Sequence, residues 1–406
     1  MGLRELLQEA LRAIRAHTLR SFLTLLGVII GVGTLVGVVS VISGLNAFVR
    51  DRVFALAPDV FVITKFGIIT NRDAFLEALK RRNIDWRDYE RLARNLSRAE
   101  SVAAQAGTTT AVKFREKRLA DMSVQGTTAS FGPMVRLDIE SGRYFTDAED
   151  QTAQAIAVIG WDIKDELFPQ LDPLGRTVLV GGYPYRVVGL LTKQGRTLGE
   201  NRDSRLYIPI QAYRRQFGLR DSLSVLVKAS GGVEGLDASV DEARLILRAL
   251  RHADFRAPDP FGIVTAEALQ ALWAQISSAA FILTTLIAGV SLGIGGVVIM
   301  NIMLVAVTER TREIGVRLAI GARKRDIRRQ FLLEAVFLSA TGGLFGVVLG
   351  GLAAMAVRGF LDFPAQVTPF IVALGVLLSG AVGVVAGYWP AWSASNLGVV
   401  DALRAE

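Results

Sequence analysis

Cysteine is absent from this chain, which excludes disulfides and thiol chemistry and leaves any extracytoplasmic domain to be held by its own core. Histidine is nearly absent. His17 precedes the first long apolar run and His252 follows it, so the two fall in different compartments and cannot form a His-rich metal site. There is no G-x-x-x-x-G-K-S/T phosphate cradle and no G-x-S-x-G nucleophile elbow. Gly293-x-Gly295 is only a fragment of a nucleotide fingerprint, and it sits inside an apolar run. Asp147, Glu149 and Asp150 cluster, but Thr146 ahead of them reads better as a helix cap with an acidic first turn than as part of a metal site. These patterns assign the chain no catalytic residue, no cofactor-binding residue and no metal ligand.

Charge is missing from long stretches as well. Ser21 to Val49, Trp273 to Val307, Ala335 to Val357 and Pro369 to Pro390 contain no Asp, Glu, Lys, Arg or His. A helix crosses the hydrocarbon core in about 20 residues. The first two runs exceed that, so their helices should project outward as stalks. Hydrophobic residues make up 51% of the chain, a membrane-protein composition interrupted by a polar middle. Residues 1–20 place Leu3, Leu6, Leu7, Ala10, Leu11 and Ile14 at a helical period, with Arg4, Arg12 and Arg15 elsewhere. That pattern suits an amphipathic helix in the cytoplasmic interface better than a cleaved signal peptide.

The expected layout follows. Residues 21–49 hold the first span and its stalk, 50–272 an extracytoplasmic α+β domain, and 273–307 the second stalk and span. Residues 308–330 form a cytoplasmic loop, 331–358 the third span, 359–368 a short outer loop, 369–392 the fourth span and 393–406 a cytoplasmic tail. Gly27, Gly31, Gly289, Gly293, Gly342, Gly346 and Gly350 fall at small-residue spacings that suit helix packing or a dimer seam. Glu334 lies just inside the third span, close enough to the basic loop to pair with it. The net charge of +8 concentrates beside the spans, so anionic lipid headgroups are a better partner than nucleic acid.

In the polar middle, Val60 to Thr64, Val102 to Ala106, Thr109 to Phe114, Met122 to Gln125 and Ala155 to Ile159 read as strands. Thr177 to Val180 and Tyr183 to Leu191 flank Gly181-Gly182, a hairpin signal. Trp86 to Leu96, capped by Asp85, and Val240 to Leu250 read as helices. The order is α+β, without a regular βαβ repeat.

Thr308 to Gln330 is where charge returns: eight Lys or Arg residues between two uncharged runs, which places this loop on the cytoplasmic side. Glu309 to Gly315 can extend the preceding helix, Gly321 should stop it, and Ala322 to Arg329 should start a short basic helix. The ordered string Glu309-Arg310-x-x-Glu313-Ile314-Gly315-x-Arg317-x-Ala319-x-Gly321-Ala322, with basic residues and then Glu334 after it, resembles the permeases of MacB-type and FtsX-like ABC transporters.

The resemblance implies a fold of four transmembrane helices with a large two-lobed extracytoplasmic α+β domain between the first and second, the inserted lobe falling at about 127–221. It assigns coupling to a cytosolic ATPase to Glu309, Arg310, Arg312, Glu313, Ile314, Gly315, Arg317, Gly321, Ala322, Arg323 and Glu334. It implies a bacterial inner-membrane protein with both termini inside, paired with a second copy or a related permease. ATP and magnesium would belong to a separate ABC ATPase, and a periplasmic adaptor and outer-membrane channel are further expected partners. A mechanical stroke would move drugs, peptides, lipoproteins or envelope compounds. The alternative, a membrane receptor with an outer sensing domain, requires a cytoplasmic effector domain, and the longest inner segment is only the loop just described.

Overall fold

The computed structural model describes residues 18–48, 57–193, 195–197, 200–361, 365–399 and 402. The amphipathic stretch before Thr18 lies outside the described residues. In chain order the elements begin with α1 (Thr18–Phe48), β1 (Val60–Thr64), α2 (Arg72–Lys80), α3 (Trp86–Asn95), β2 (Ala99–Phe114) and β3 (Lys117–Thr127). Next come α4 (Phe131–Met134), β4 (Ile139–Gly142), α5 (Asp147–Gln151), β5 (Ile156–Ile159), α6 (Trp161–Leu167), β6 (Thr177–Val180) and β7 (Tyr183–Leu191). Then β8 (Arg196–Thr197), β9 (Glu200–Asn201), β10 (Arg205–Pro209), α7 (Ile210–Phe217), β11 (Ser224–Ala229), α8 (Leu236–Leu250) and β12 (Gly262–Thr265) follow. The chain closes with α9 (Ala266–Glu309), α10 (Thr311–Ala319), α11 (Lys324–Leu361) and α12 (Pro369–Ser395). Two compact units result, Met1–Phe48 with Gln275–Glu406, and Val49–Ala274.

The second unit is built on one sheet of order β12-β1-β11-β2-β3-β10-β5-β7-β4, with β6 pairing both β2 and β7. The strands drawn from 127–221 occupy one end, and the sheet passes into them at the parallel β3–β10 pair. Phe61, Ile63 and Val225 share one buried core with Ile159, Val187 and Leu206, so the two ends are packed together. Sequence reading splits β2 at Gly107; in the structure it runs unbroken for 16 residues. The β2–β3 ladder carries it through, with Gly107 opposite Gln125, whose amide covers the bare backbone. The hairpin at Gly181-Gly182 has φ of 56° and 92°, and the positive values at both positions are what a type I′ turn demands. Asp85 caps α3 through a reciprocal capping box with Asp88.

The first unit contains helices long and apolar enough to cross a membrane: four among the described residues. Val28 and Val32 of α1, Leu292 and Met303 of α9, Phe331 and Ala335 of α11, and Ala386 and Ala391 of α12 share its buried core. Gly27 lets α1 touch α9: a Cβ there would lie 2.9 Å from the Cα of Gly295, and one on Gly31 the same distance from the Leu292 side chain. Gly342, Gly346 and Gly350 turn instead toward α1, where a Cβ on Gly350 would sit 2.5 Å from the Gly33 carbonyl. A Cβ on Gly289 or Gly293 would meet nothing within 4 Å among the described residues.

Three helix boundaries differ from the sequence expectation. The helix expected from Trp273 begins at Ala266, directly off β12, because the Thr265 hydroxyl accepts from the Ala268 N–H at 3.1 Å and caps it there. The last helix passes Pro390 and runs beyond the expected end of the span at 392, to Ser395. A proline costs one backbone hydrogen bond, and in a packed membrane helix that loss is tolerated. The third difference concerns the basic loop.

Candidate coupling site

The helix leading out of the second span stops at Glu309, and Arg310 breaks it with φ −102° and ψ 14°. Threonine hydroxyls on either side compete for helix carbonyls. Thr308 Oγ1 donates to the Val305 carbonyl at 2.8 Å, and Thr311 Oγ1 donates to the carbonyls of Val307 and Thr308 at 3.0 and 2.8 Å. The helix of the second span therefore ends before Arg310 rather than at Gly321, and α10 is a separate helix of 9 residues.

Gly321 does end that helix. Its φ is +99°, its N–H donates to Leu318, and the Ala322 N–H donates to Arg317. This is a Schellman ending, in which a residue with a Cβ would be strained. The short helix expected over Ala322 to Arg329 is not separate. Ala322 and Arg323 lie in the turn, and Lys324 starts α11, which runs without a break to Leu361. No glycine or proline occurs between Arg323 and Thr341, so nothing interrupts it.

Arg310, Glu313, Arg317 and Glu334 converge as a line of polar contacts. The Glu313 and Arg317 side chains pair at 2.5 Å, and Arg317 donates to Gln330 at 2.8 Å. Gln330 reaches Glu334 at 3.4 Å, and Arg310 meets the same carboxylate at 3.5 Å. Glu334 is only 8% exposed. A carboxylate buried this far is tolerable only with partners, and these tie the Arg310 break and α10 to the first turns of α11.

The remaining predicted residues divide between the two sides of α10. Ile314 and Gly315 are buried. Gly315 is required by close approach: a Cβ there would lie 2.7 Å from the Cβ of Ala402, in the C-terminal tail. Glu309, Arg312 and Arg323 are exposed. Sequence reasoning missed Gln330, Val316 and Ile320. Arg312, Glu313, Val316, Ala319 and Ile320 all lie on the exposed side of α10, and Ile320 is 81% exposed. The signal was present in their spacing, i, i+1, i+4, i+7 and i+8, which marks one helix face. An apolar pair on a charged outer face fits a protein contact.

Residues 21–243 match the model of the MacB-like periplasmic core domain, and residues 285–399 that of the FtsX-like permease C-terminal. The chain is 32% identical over 412 residues to the uncharacterized ABC transporter permease YknZ of Bacillus subtilis (strain 168), covering 100% of both chains. It is 33% identical to the macrolide export ATP-binding/permease protein MacB of Azoarcus sp. (strain BH72), with 99% of this chain matching 60% of that one. Among solved structures it is similar to the periplasmic region of MacB from Actinobacillus actinomycetemcomitans, with TM-score 0.46 and 17% identity over 55% of this chain and 96% of that one. With four membrane-length helices and the MacB-like domain between the first and second, the chain belongs to the MacB-like, FtsX-like family of ABC transporter permeases.

Proposed function

We propose that this chain is a permease subunit that works as a mechanical transmitter. A separate cytosolic ABC ATPase docks on α10, and its ATP-driven closure moves the extracytoplasmic domain to export or extract a drug, peptide, lipoprotein or envelope compound. Both termini and the α10 loop lie in the cytoplasm, and two permease chains pair. The observation that carries this reading is the exposed face of α10, where Val316 and Ile320 are flanked by Arg312 and Glu313. Apolar anchors with a charged rim are the usual make-up of a small docking surface. The polar line from Glu313 to Glu334 supports the mechanical part, because it joins the docking helix to a membrane-spanning one.

The test is co-purification with the ATPase and measurement of permease-stimulated ATP turnover. Ile320→Asp should weaken ATPase binding at least tenfold, since truncating an interface anchor costs about 2 kcal/mol or more. Glu313→Lys and Arg317→Glu should abolish stimulation while leaving membrane insertion intact. Normal stimulation in all three variants would remove α10 from the interface.

A further inference from the structure

Arg325, Arg328 and Arg329 take no part in the polar line. All three are exposed on the first turns of α11, whereas Ile327 and Phe331 on the opposite side are each 2% exposed. Among the described residues, none of the three forms an ion pair. Farther along α11, beyond 334–343 where no residue is exposed, Leu344, Val348, Leu352 and Met355 are exposed. A stripe of large apolar residues on a membrane-spanning helix with no protein against it faces lipid.

Their depth is set by a second helix. Gly387 of α12 packs against Ala335 of α11, and a Cβ on Gly383 would lie 2.8 Å from the Cα of Val336, so the two helices run antiparallel. Trp389 and Trp392, past Gly387, therefore lie at the level of the first turns of α11. Both are exposed, with ring centroids 5.7 Å apart. Exposed tryptophans mark the boundary between acyl chains and headgroups. Arg328 and Arg329 lie within about one turn of that boundary, and Arg325 about one turn beyond it. This is the depth of lipid phosphate.

We propose that Arg325, Arg328 and Arg329 bind the phosphate of an anionic phospholipid in the leaflet on this side of the membrane. Guanidinium forks fit phosphate oxygens bidentately, and Asp326 is the only carboxylate on the same turns. A basic residue at an anionic surface strengthens association about fivefold, so three give roughly a hundredfold. The lipid would steady the foot of α11 on the side opposite Glu334. An acidic surface of the ATPase is the competing occupant. It is disfavoured because the exposed tryptophans place these arginines at headgroup depth.

The experiment is a titration of the purified full-length chain in detergent with short-chain phosphatidylglycerol, short-chain phosphatidylcholine or sn-glycerol 1-phosphate, reading the unfolding midpoint. Phosphatidylglycerol alone should raise the midpoint saturably. The half-saturating concentration should rise roughly a hundredfold in Arg325→Gln/Arg328→Gln/Arg329→Gln, at about fivefold per arginine. It should stay put in Arg87→Gln/Arg91→Gln/Arg94→Gln, which removes the same charge from the exposed side of α3. If the triple variant does not fold, the single Arg329→Gln variant should show the fivefold step. Equal response to phosphatidylcholine would overturn the proposal, and so would a response to glycerol phosphate, which would indicate a free-phosphate site. Unchanged phosphatidylglycerol binding together with lost ATPase binding would overturn it too and give the face to the protein partner.

Discussion

Glu149 and Asp150 are neighbours in α5 with opposite protonation behaviour. Arg143 donates to both oxygens of Glu149 at 2.7 and 2.6 Å and holds its pKa down at about 2. Burial pushes Asp150 up to about 6, although the Gln211 N–H donates to it at 3.2 Å. The signs follow from which state binds the proton more tightly. Folding favours ionised Glu149, so its contribution is complete above the ordinary value of 4.5 and is lost as pH falls toward about 2. Folding favours protonated Asp150, so its contribution is complete below 3.8 and is lost as pH rises through about 6. Asp150→Asn, which imitates the protonated acid, should therefore stabilise the full chain at pH 7 to 8 by about 1 kcal/mol after allowance for solvent screening, and by nothing near pH 4. Thermal unfolding at the two pH values checks this. A stabilisation that is the same at both would mean that the carboxylate's charge is irrelevant.

At the scale of elements, docking and transmission separate. In the proposed mechanism Val316 and Ile320 on the exposed face of α10 are the docking anchors, while Glu334 and Gln330 sit behind it on α11. Glu334→Gln keeps the side chain's shape and removes the charge that Arg310 faces at 3.5 Å. The expected result is ATPase affinity within twofold of wild type and stimulated turnover reduced about tenfold, the loss of one charge-assisted contact. Loss of affinity and stimulation together would make Glu334 a support of the docking surface rather than a link beyond it. This region also marks the limit of legibility in the sequence. The basic string, Gly321 as a helix stop and Glu334 as a paired carboxylate were all readable from residue type and spacing. The turn at Arg310 was not, because it arises where threonine hydroxyls and backbone N–H groups compete for the same carbonyls. Continuity of α11 was likewise hidden: a run of basic residues looks like a separate segment, yet contains nothing that breaks a helix. In the outer domain, Gly181-Gly182 was legible because a two-residue turn is local, whereas the unbroken β2 depends on its pairing with the distant β3.

At the scale of the whole molecule, the open question is where a second permease chain would sit. Glycine spacing marked α1 and α9 equally, but the structure uses those glycines differently. Gly27 and Gly31 are filled by contacts within the chain, while the side of α1 beside Gly33 and Gly37 borders an apolar groove of about 560 Å³. Ile30, Val38 and Val41 of α1 and Leu349 and Val357 of α11 line it. Gly289 and Gly293 present a second bare strip on α9. A two-fold axis brings one residue against its own copy, so a cysteine placed at the seam should pair with itself. The native chain has no cysteine, so the background is clean. Oxidative cross-linking along Phe22 to Ile42 should give dimers at Val38 or Val41, repeating every three or four positions. If that scan stays monomeric while cysteines at Gly289 or Gly293 cross-link, the seam belongs to α9. The α1–α11 groove would then be a lipid-filled surface, and the transmitter would pivot about its second span.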